Sequence, residues 1–206
     1  MSARLLQRVL LVTLIALLTA IAVILLTGRG SAPSQAAQSP FDGPEMPPGL
    51  RAANFTLVDQ NGRTVSLSQY RGRVVVLTFI HSLCHDACPL MVEAIKGALN
   101  DLPGSGYGIP AIGVSVEPAQ DTVANRRWFL AQHQMTGRLE FVSGPMSAMR
   151  RVWHEYAIQP VTPKIDHSTF VLLIDKRGVE RVGFAADQLT PEGLAHDIEV
   201  LERERA

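Results

Sequence analysis

Two cysteines are the whole thiol inventory of this chain, and they lie close together in Phe79-Ile80-His81-Ser82-Leu83-Cys84-His85-Asp86-Ala87-Cys88-Pro89. A pair this close cannot staple distant segments, so a disulfide framework is excluded. What remains is a local redox couple, a metal site, or both. The spacing bears on the choice. Thioredoxin-type redox pairs have two intervening residues; here there are three. The wider loop leaves room for both sulfurs to face one ion at about 2.3 Å, the usual zinc–thiolate distance and a guide for copper. Thiolates with imidazole suit Cu(I), and such sets also accommodate Cu(II). The same sulfurs can still close into a disulfide, so thiol exchange stays open. A structural zinc site wants four protein ligands, often from a second Cys or His pair, and the sequence has none. A packing role as small core hydrophobes fits poorly with His85 and Asp86 between the two cysteines.

The elements around the pair are those that activate a thiol. Val74 to Ile80 is a continuous β-branched and aromatic run, expected as a strand buried on both faces. A helix is expected from about Pro89 to Leu102, with Leu90, Ala94, Ala98 and Leu102 at helical spacing. Cys88 therefore stands at a helix mouth, where proline suits the first position. Unpaired N–H groups and the helix dipole favour a thiolate there.

A third ligand has to come from elsewhere. The histidines are His81, His85, His133, His154, His167 and His196. His133, His154 and His196 fall in expected helices among polar neighbours and read as solvated helix faces. His167 differs: Asp166-His167-Ser168 immediately precedes the apolar run Thr169 to Ile174.

The remaining pattern alternates strand and helix. Phe55 to Val58 and Thr64 to Leu67 flank Asp59-Gln60-Asn61-Gly62, a hairpin turn. Ala111 to Val116 is a strand. Asp121 is expected to cap a helix running to about Gln134. A strand at Leu139 to Val142 and a helix at Met146 to Tyr156 follow. Thr169 to Ile174 and Glu180 to Phe184 pair across Asp175-Lys176-Arg177-Gly178, and Pro191 to Glu202 closes the chain as a helix. A β-α-β unit, a helix and a terminal β-β-α unit describe a thioredoxin-like α/β domain. Its active edge is the carboxyl end of the strands, where the cysteines fall.

Ahead of this domain, Val9 to Thr27 is an apolar run of 19 residues preceded by Arg4 and Arg8. The expectation is a single transmembrane helix, with the basic arm kept in the cytoplasm. The competing reading is a cleaved signal peptide, whose apolar core is usually shorter. Residues 1–28 are then the cytoplasmic arm and anchor of an inner membrane protein. Residues 29–48, rich in Ser, Ala, Gln, Gly and Pro, form a flexible linker, and 49–206 the thioredoxin-like domain on the periplasmic side. The chain carries 19 basic and 19 acidic side chains and 6% aromatics. Neither a phosphate-neutralising face nor a base-stacking platform is indicated, so nucleic acid is not an expected partner.

From about Asn54 to Phe184 the chain resembles the Sco (SenC-type) family of copper chaperones for cytochrome c oxidase assembly. The resemblance rests on Cys84-x-x-x-Cys88-Pro89 with Asp86 inside the loop, on Asp166-His167-Ser168, and on Val114-Ser115-Val116-Glu117-Pro118-x-x-Asp121-Thr122. It implies a thioredoxin fold and copper, as Cu(I) or Cu(II), held by Cys84, Cys88 and His167. It also implies the copper-bearing subunit of cytochrome c oxidase as partner, with a copper donor and a thiol reductant upstream. Two positions depart from the family pattern. His85-Asp86 stands where Pro-Asp is usual, and His81-Ser82 where Tyr-Thr is common. Each extra imidazole either adds a ligand or tunes a thiol pKa, or is an exposed loop residue, the reading preferred for both. The acidic pair is Glu117 and Asp121, with docking of a partner as the alternative to a cap role for Asp121. A thiol–disulfide reductase using Cys84 and Cys88 is the alternative function, with Cys84 attacking. A peroxidase is disfavoured, because Ser82 and Leu83 do not supply the usual peroxidatic Pro and Thr pattern.

Overall fold

The computed structural model describes residues 3–27, 39–106, 108–159 and 170–205. The chain divides into two compact units, Met1–Gln38 and Ser39–Ala206. In the first, helix α1 spans Ala3–Thr27. Among the described residues, no helix is long and apolar enough to cross a membrane. This corrects the expected single-pass anchor, and with it the inner-membrane placement and the periplasmic side assigned to the second unit.

The second unit is built on a strand that must be apolar throughout. Strand β3, Val75–Ile80, follows a β1–β2 hairpin of Thr56–Val58 and Thr64–Ser66, and every β3 residue is buried. It pairs in parallel with β4, Ala111–Ser115, which pairs in parallel with β5, Leu139–Val142. On its other side it runs antiparallel to β6, Phe170–Ile174, itself antiparallel to β7, Glu180–Ala185. The sheet order is therefore β5-β4-β3-β6-β7. Side chains alternate across a strand, and β3 feeds two cores. Val76 and Ile80 face helices α2 (Ala87–Asp101), α3 (Val123–Gln132) and α5 (Pro191–Arg203). Val75, Leu77 and Phe79 face helix α4 (Met146–Glu155) and the β1–β2 hairpin. Burial on both faces explains why the strand reads as an unbroken apolar run.

Three elements differ from their sequence expectation. Helix α2 begins at Ala87, two residues early, so Cys88 and Pro89 both lie in its first turn. Its buried face is Cys88, Met91, Val92, Ala94, Ile95, Ala98 and Leu99, whereas Leu90 is 66% exposed. The apolar stripe is thus rotated from the one starting at Leu90. Helix α3 starts at Val123 with Thr122 as its cap, the Thr122 hydroxyl accepting from the Asn125 N–H at 3.2 Å. Asp121, expected as the cap, is engaged elsewhere. Ordered contacts also begin at Ser39, ahead of Gly49. Phe41 is buried, and the Asp197 carboxylate on α5 accepts the N–H groups of Asp42 and Gly43 at 2.8 and 2.9 Å. Low-complexity composition concealed this docked segment.

Candidate metal centre

The cysteine loop leaves the sheet at Ile80, which is fully buried. The Ile80 carbonyl accepts the Val116 N–H at 3.0 Å, fixing the loop's first residue against the end of β4. The chain then turns: the Cys84 N–H donates to the His81 carbonyl at 3.3 Å. Inside the turn Ser82 is buried and bound twice to Asp121, through its N–H at 2.7 Å and its hydroxyl at 2.6 Å, both to Oδ1. The other oxygen, Oδ2, accepts the Ser115 hydroxyl. Asp121 therefore pins the cysteine loop to the carboxyl end of β4. Arg126 fixes Asp121 in turn, its Nε donating to the Asp121 carbonyl at 3.1 Å. Its Nη1 donates to the carbonyls of Val58 and Phe141 at 2.9 and 2.6 Å. Burial lowers the Arg126 pKa, Asp121 and Asp59 opposing the fall.

The helix mouth is capped by sulfur. Asp86 holds the cap position of α2 without a side-chain cap bond. Instead the Cys88 N–H, one of the helix's orphan donors, points to Cys84 Sγ at 3.4 Å. Such an N–H, with the dipole behind it, stabilises negative charge on that sulfur. Cys84 is partly exposed and Cys88 buried. Hydrogen bonding to Cys84 and burial push the Cys88 thiol far up. The pair is thus asymmetric: an accessible acceptor sulfur backed by a buried protonated donor.

His81 completes the cluster. One donor atom from each of His81, Cys84 and Cys88 lies within 4.8 Å of the others. Its imidazole is 14% exposed, with Nδ1 at 3.6 Å from Glu117 Oε2. Hydrogen bonding to Cys84 raises its pKa, burial pulling the other way. The expectation of an exposed His81 is corrected: it follows directly on a buried strand and is held there with its neighbours. The pattern His81-x-x-Cys84-x-x-x-Cys88 was the available signal, with His81 and Cys84 at the two ends of one turn and Cys88 in the first turn of α2. His85 and Asp86 are exposed, as expected of His85. His133 bonds to Glu93 at 3.0 Å and packs against Phe129 with the rings tilted, His154 is exposed, and His196 lies beside Asp197 at 3.0 Å. His167 lies outside the described residues.

A soft thiolate pair with imidazole suits copper. Two sulfurs about 2.3 Å from one ion stand at most roughly 4.6 Å apart, close to the 4.8 Å within which the donor atoms lie here. A parallel β-α-β unit with a cysteine pair where strand gives way to helix, closed by a β-β-α unit, is a thioredoxin-like α/β protein. The SCO1/SenC family profile matches residues 45–202, and the chain belongs to that family. A SCO2-like protein of Rickettsia prowazekii is 27% identical over 142 residues, covering 60% of this chain and 64% of the relative, so the chain spans less than two-thirds of its length. Bradyrhizobium japonicum ScoI, solved with copper bound, is 27% identical with a TM-score of 0.64, covering 73% of this chain and 99% of its own. BsSco, a member of the Sco family of cytochrome c oxidase assembly proteins in which a disulfide switch was identified, shares the fold. It has a TM-score of 0.66 at 21% identity, covering 77% of this chain and 96% of its own. Copper, the metal expected from the sequence, is thus the metal of the Bradyrhizobium relative.

Proposed function

We propose that this chain is a copper metallochaperone. It binds one copper ion through Cys84, Cys88 and His167 and delivers it to, or prepares, the copper centre of cytochrome c oxidase. The observation that carries the reading is the pair of sulfurs gathered at the mouth of α2, Cys84 reachable and Cys88 behind it, on a loop pinned by Asp121. A partly exposed site of few ligands leaves room for a ligand from the receiving protein, so the ion passes by exchange. A copper donor and a thiol reductant complete the cycle, since only reduced sulfurs hold the ion.

The test is a titration of the fully reduced chain with Cu(I) and with Cu(II), monitored by competition with a chromophoric chelator. Cys84→Ser and Cys88→Ser abolish tight binding of one ion per chain, and His167→Ala weakens it by about tenfold or more. Affinity indifferent to either cysteine overturns the copper reading, and affinity indifferent to His167 removes that ligand.

The burial asymmetry of the pair favours a second reading, a thiol–disulfide reductase. The Cys84 thiolate attacks a partner disulfide, forming a mixed disulfide and releasing one partner thiolate. Cys88, giving up its proton, then attacks Cys84 Sγ and releases the second partner thiolate. The product is a Cys84–Cys88 disulfide, and two electrons have passed to the partner. His167 is dispensable for this turnover, which separates the two readings.

A further inference from the structure

We infer that His81 is itself a copper donor, so that residues 81–88 form a three-donor site complete without residues 160–169. The inference rests on the copper-binding reading of the two cysteines and extends it. The donor atoms of His81, Cys84 and Cys88 already lie within 4.8 Å of one another. A three-coordinate ion with bonds of about 2.3 Å to sulfur and about 2.0 Å to nitrogen needs its donors roughly 3.7–4.0 Å apart. The 4.8 Å bound exceeds that need by about 1 Å.

The imidazole is also built in. Ile80 before it is tied to Val116, and Ser82 after it is tied twice to Asp121. Residue 81 therefore has anchored neighbours on both sides. Behind the ring stands a carboxylate: Nδ1 lies 3.6 Å from Glu117 Oε2, and Glu117 Oε1 is held by Gln120 Nε2 at 2.6 Å. At 3.6 Å the contact is electrostatic and longer than a hydrogen bond, so Glu117 stands where an outer partner of a metal-bound imidazole would be recruited. His85, between the cysteines in sequence, is exposed and outside the cluster. Proximity in sequence alone therefore does not account for the grouping. Two sulfurs and a nitrogen from residues 81–88 form a soft set suited to Cu(I).

The consequence is a distinctive response to loss of His167. The His167→Ala chain keeps one Cu(I), with affinity reduced by about 10- to 100-fold and not abolished, and His81→Gln added to it costs about a further tenfold or more. X-ray absorption at the copper edge reads the ligands directly. In His167→Ala it shows two sulfur scatterers near about 2.3 Å and one nitrogen near about 2.0 Å, and the nitrogen disappears in the His81→Gln/His167→Ala chain but survives in His85→Gln/His167→Ala. The unsubstituted chain gives an independent check that needs no variant to fold. On Cu(I) loading, the ring-nitrogen NMR signal of His81 shifts. A sulfur-only shell in His167→Ala, a nitrogen that survives loss of both histidines, or a stationary His81 signal overturns the assignment. Failure of the underlying reading looks different. The unsubstituted chain then binds no copper, or binds it equally well without Cys84 and Cys88, and the His81 assignment falls with it.

Discussion

A carboxylate with 3% of its surface exposed, as Asp121 has, is costly to bury unless donors meet its oxygens. Here three donors do: the Ser82 N–H and hydroxyl on one oxygen, the Ser115 hydroxyl on the other. Hydrogen bonds to a charged group contribute about 1.5–3 kcal/mol each, and unmet donors add their own penalty. Asp121→Ala is therefore expected to destabilise the fold by about 3 kcal/mol or more, and Ser82→Ala by about 1 kcal/mol. Both are read from urea unfolding midpoints. With its tether gone the cysteine loop loosens, so the folded Asp121→Ala chain also binds Cu(I) about tenfold more weakly than the unsubstituted chain. An unchanged unfolding midpoint would show that this carboxylate does not hold the loop. At this scale the sequence was informative about Cys84 and Cys88, whose chemistry is written in a five-residue interval. For Asp121 it suggested a helix cap, and for His81 it left open whether the ring joins the sulfurs or faces solvent. The Ser82 that Asp121 binds lies 39 positions away in the chain, and helix-cap statistics concern only nearest neighbours. Whether the His81 ring turns to the sulfurs or to solvent depends on how the loop is folded back onto Asp121, which no local window reports.

Elements repeat the same division. Strand β3 was legible because burial on two faces leaves a continuous apolar run. Helix α2 was legible as a helix but not in its rotation, since Ala, Leu and Val fill adjacent positions and the contact with α5 decides which stripe turns inward. That contact fixes Gly97. A Cβ built at Gly97 would stand 2.8 Å from the Pro191 Cβ and 3.0 Å from its Cγ. Two effects of Gly97→Ala therefore compete. Alanine in a helix interior is favoured over glycine by about 1 kcal/mol, while overpacking a tight contact costs typically about 1–3 kcal/mol. The proline ring at the start of α5 has little freedom to yield. Steric cost wins, and Gly97→Ala is expected to lower stability by about 1 kcal/mol in chemical denaturation, against the propensity scale. A stabilised Gly97→Ala chain would mean that α5 moves away at little cost.

Across the whole molecule, the two cores meet different faces of one sheet, and one irregularity changes which face a residue joins. Between β6 and β7 the register shifts, so that Leu173 pairs with Val182 but Ile174 pairs with Glu180. The skipped residue, Arg181, sits at a bulge, and bulges re-aim the side chains that follow or precede them. Glu180 is thereby placed beside Ile174, whose side chain belongs to the Phe79 and Tyr156 core, while Val182 belongs to the other. Burial there raises the Glu180 carboxyl pKa above its ordinary value, and its negative charge helps push Tyr156 up, after burial itself. The sign for stability follows from which state holds the proton. Between the ordinary carboxyl pKa and the raised one, the folded chain keeps a proton that the unfolded chain has released. Stability from this group is full below the lower value and declines as pH rises through the window. Each pH unit over which the states differ by one whole proton lowers it by about 1.4 kcal/mol. Glu180→Gln removes the titration while keeping the shape. Urea midpoints of the two chains measured from pH 4 to pH 8 should therefore diverge as pH rises, the Gln variant gaining relative to the unsubstituted chain and the gap levelling off above the raised pKa. Parallel curves would show that Glu180 ionises in the folded state as freely as in water, and that the bulge does not deliver it to the core.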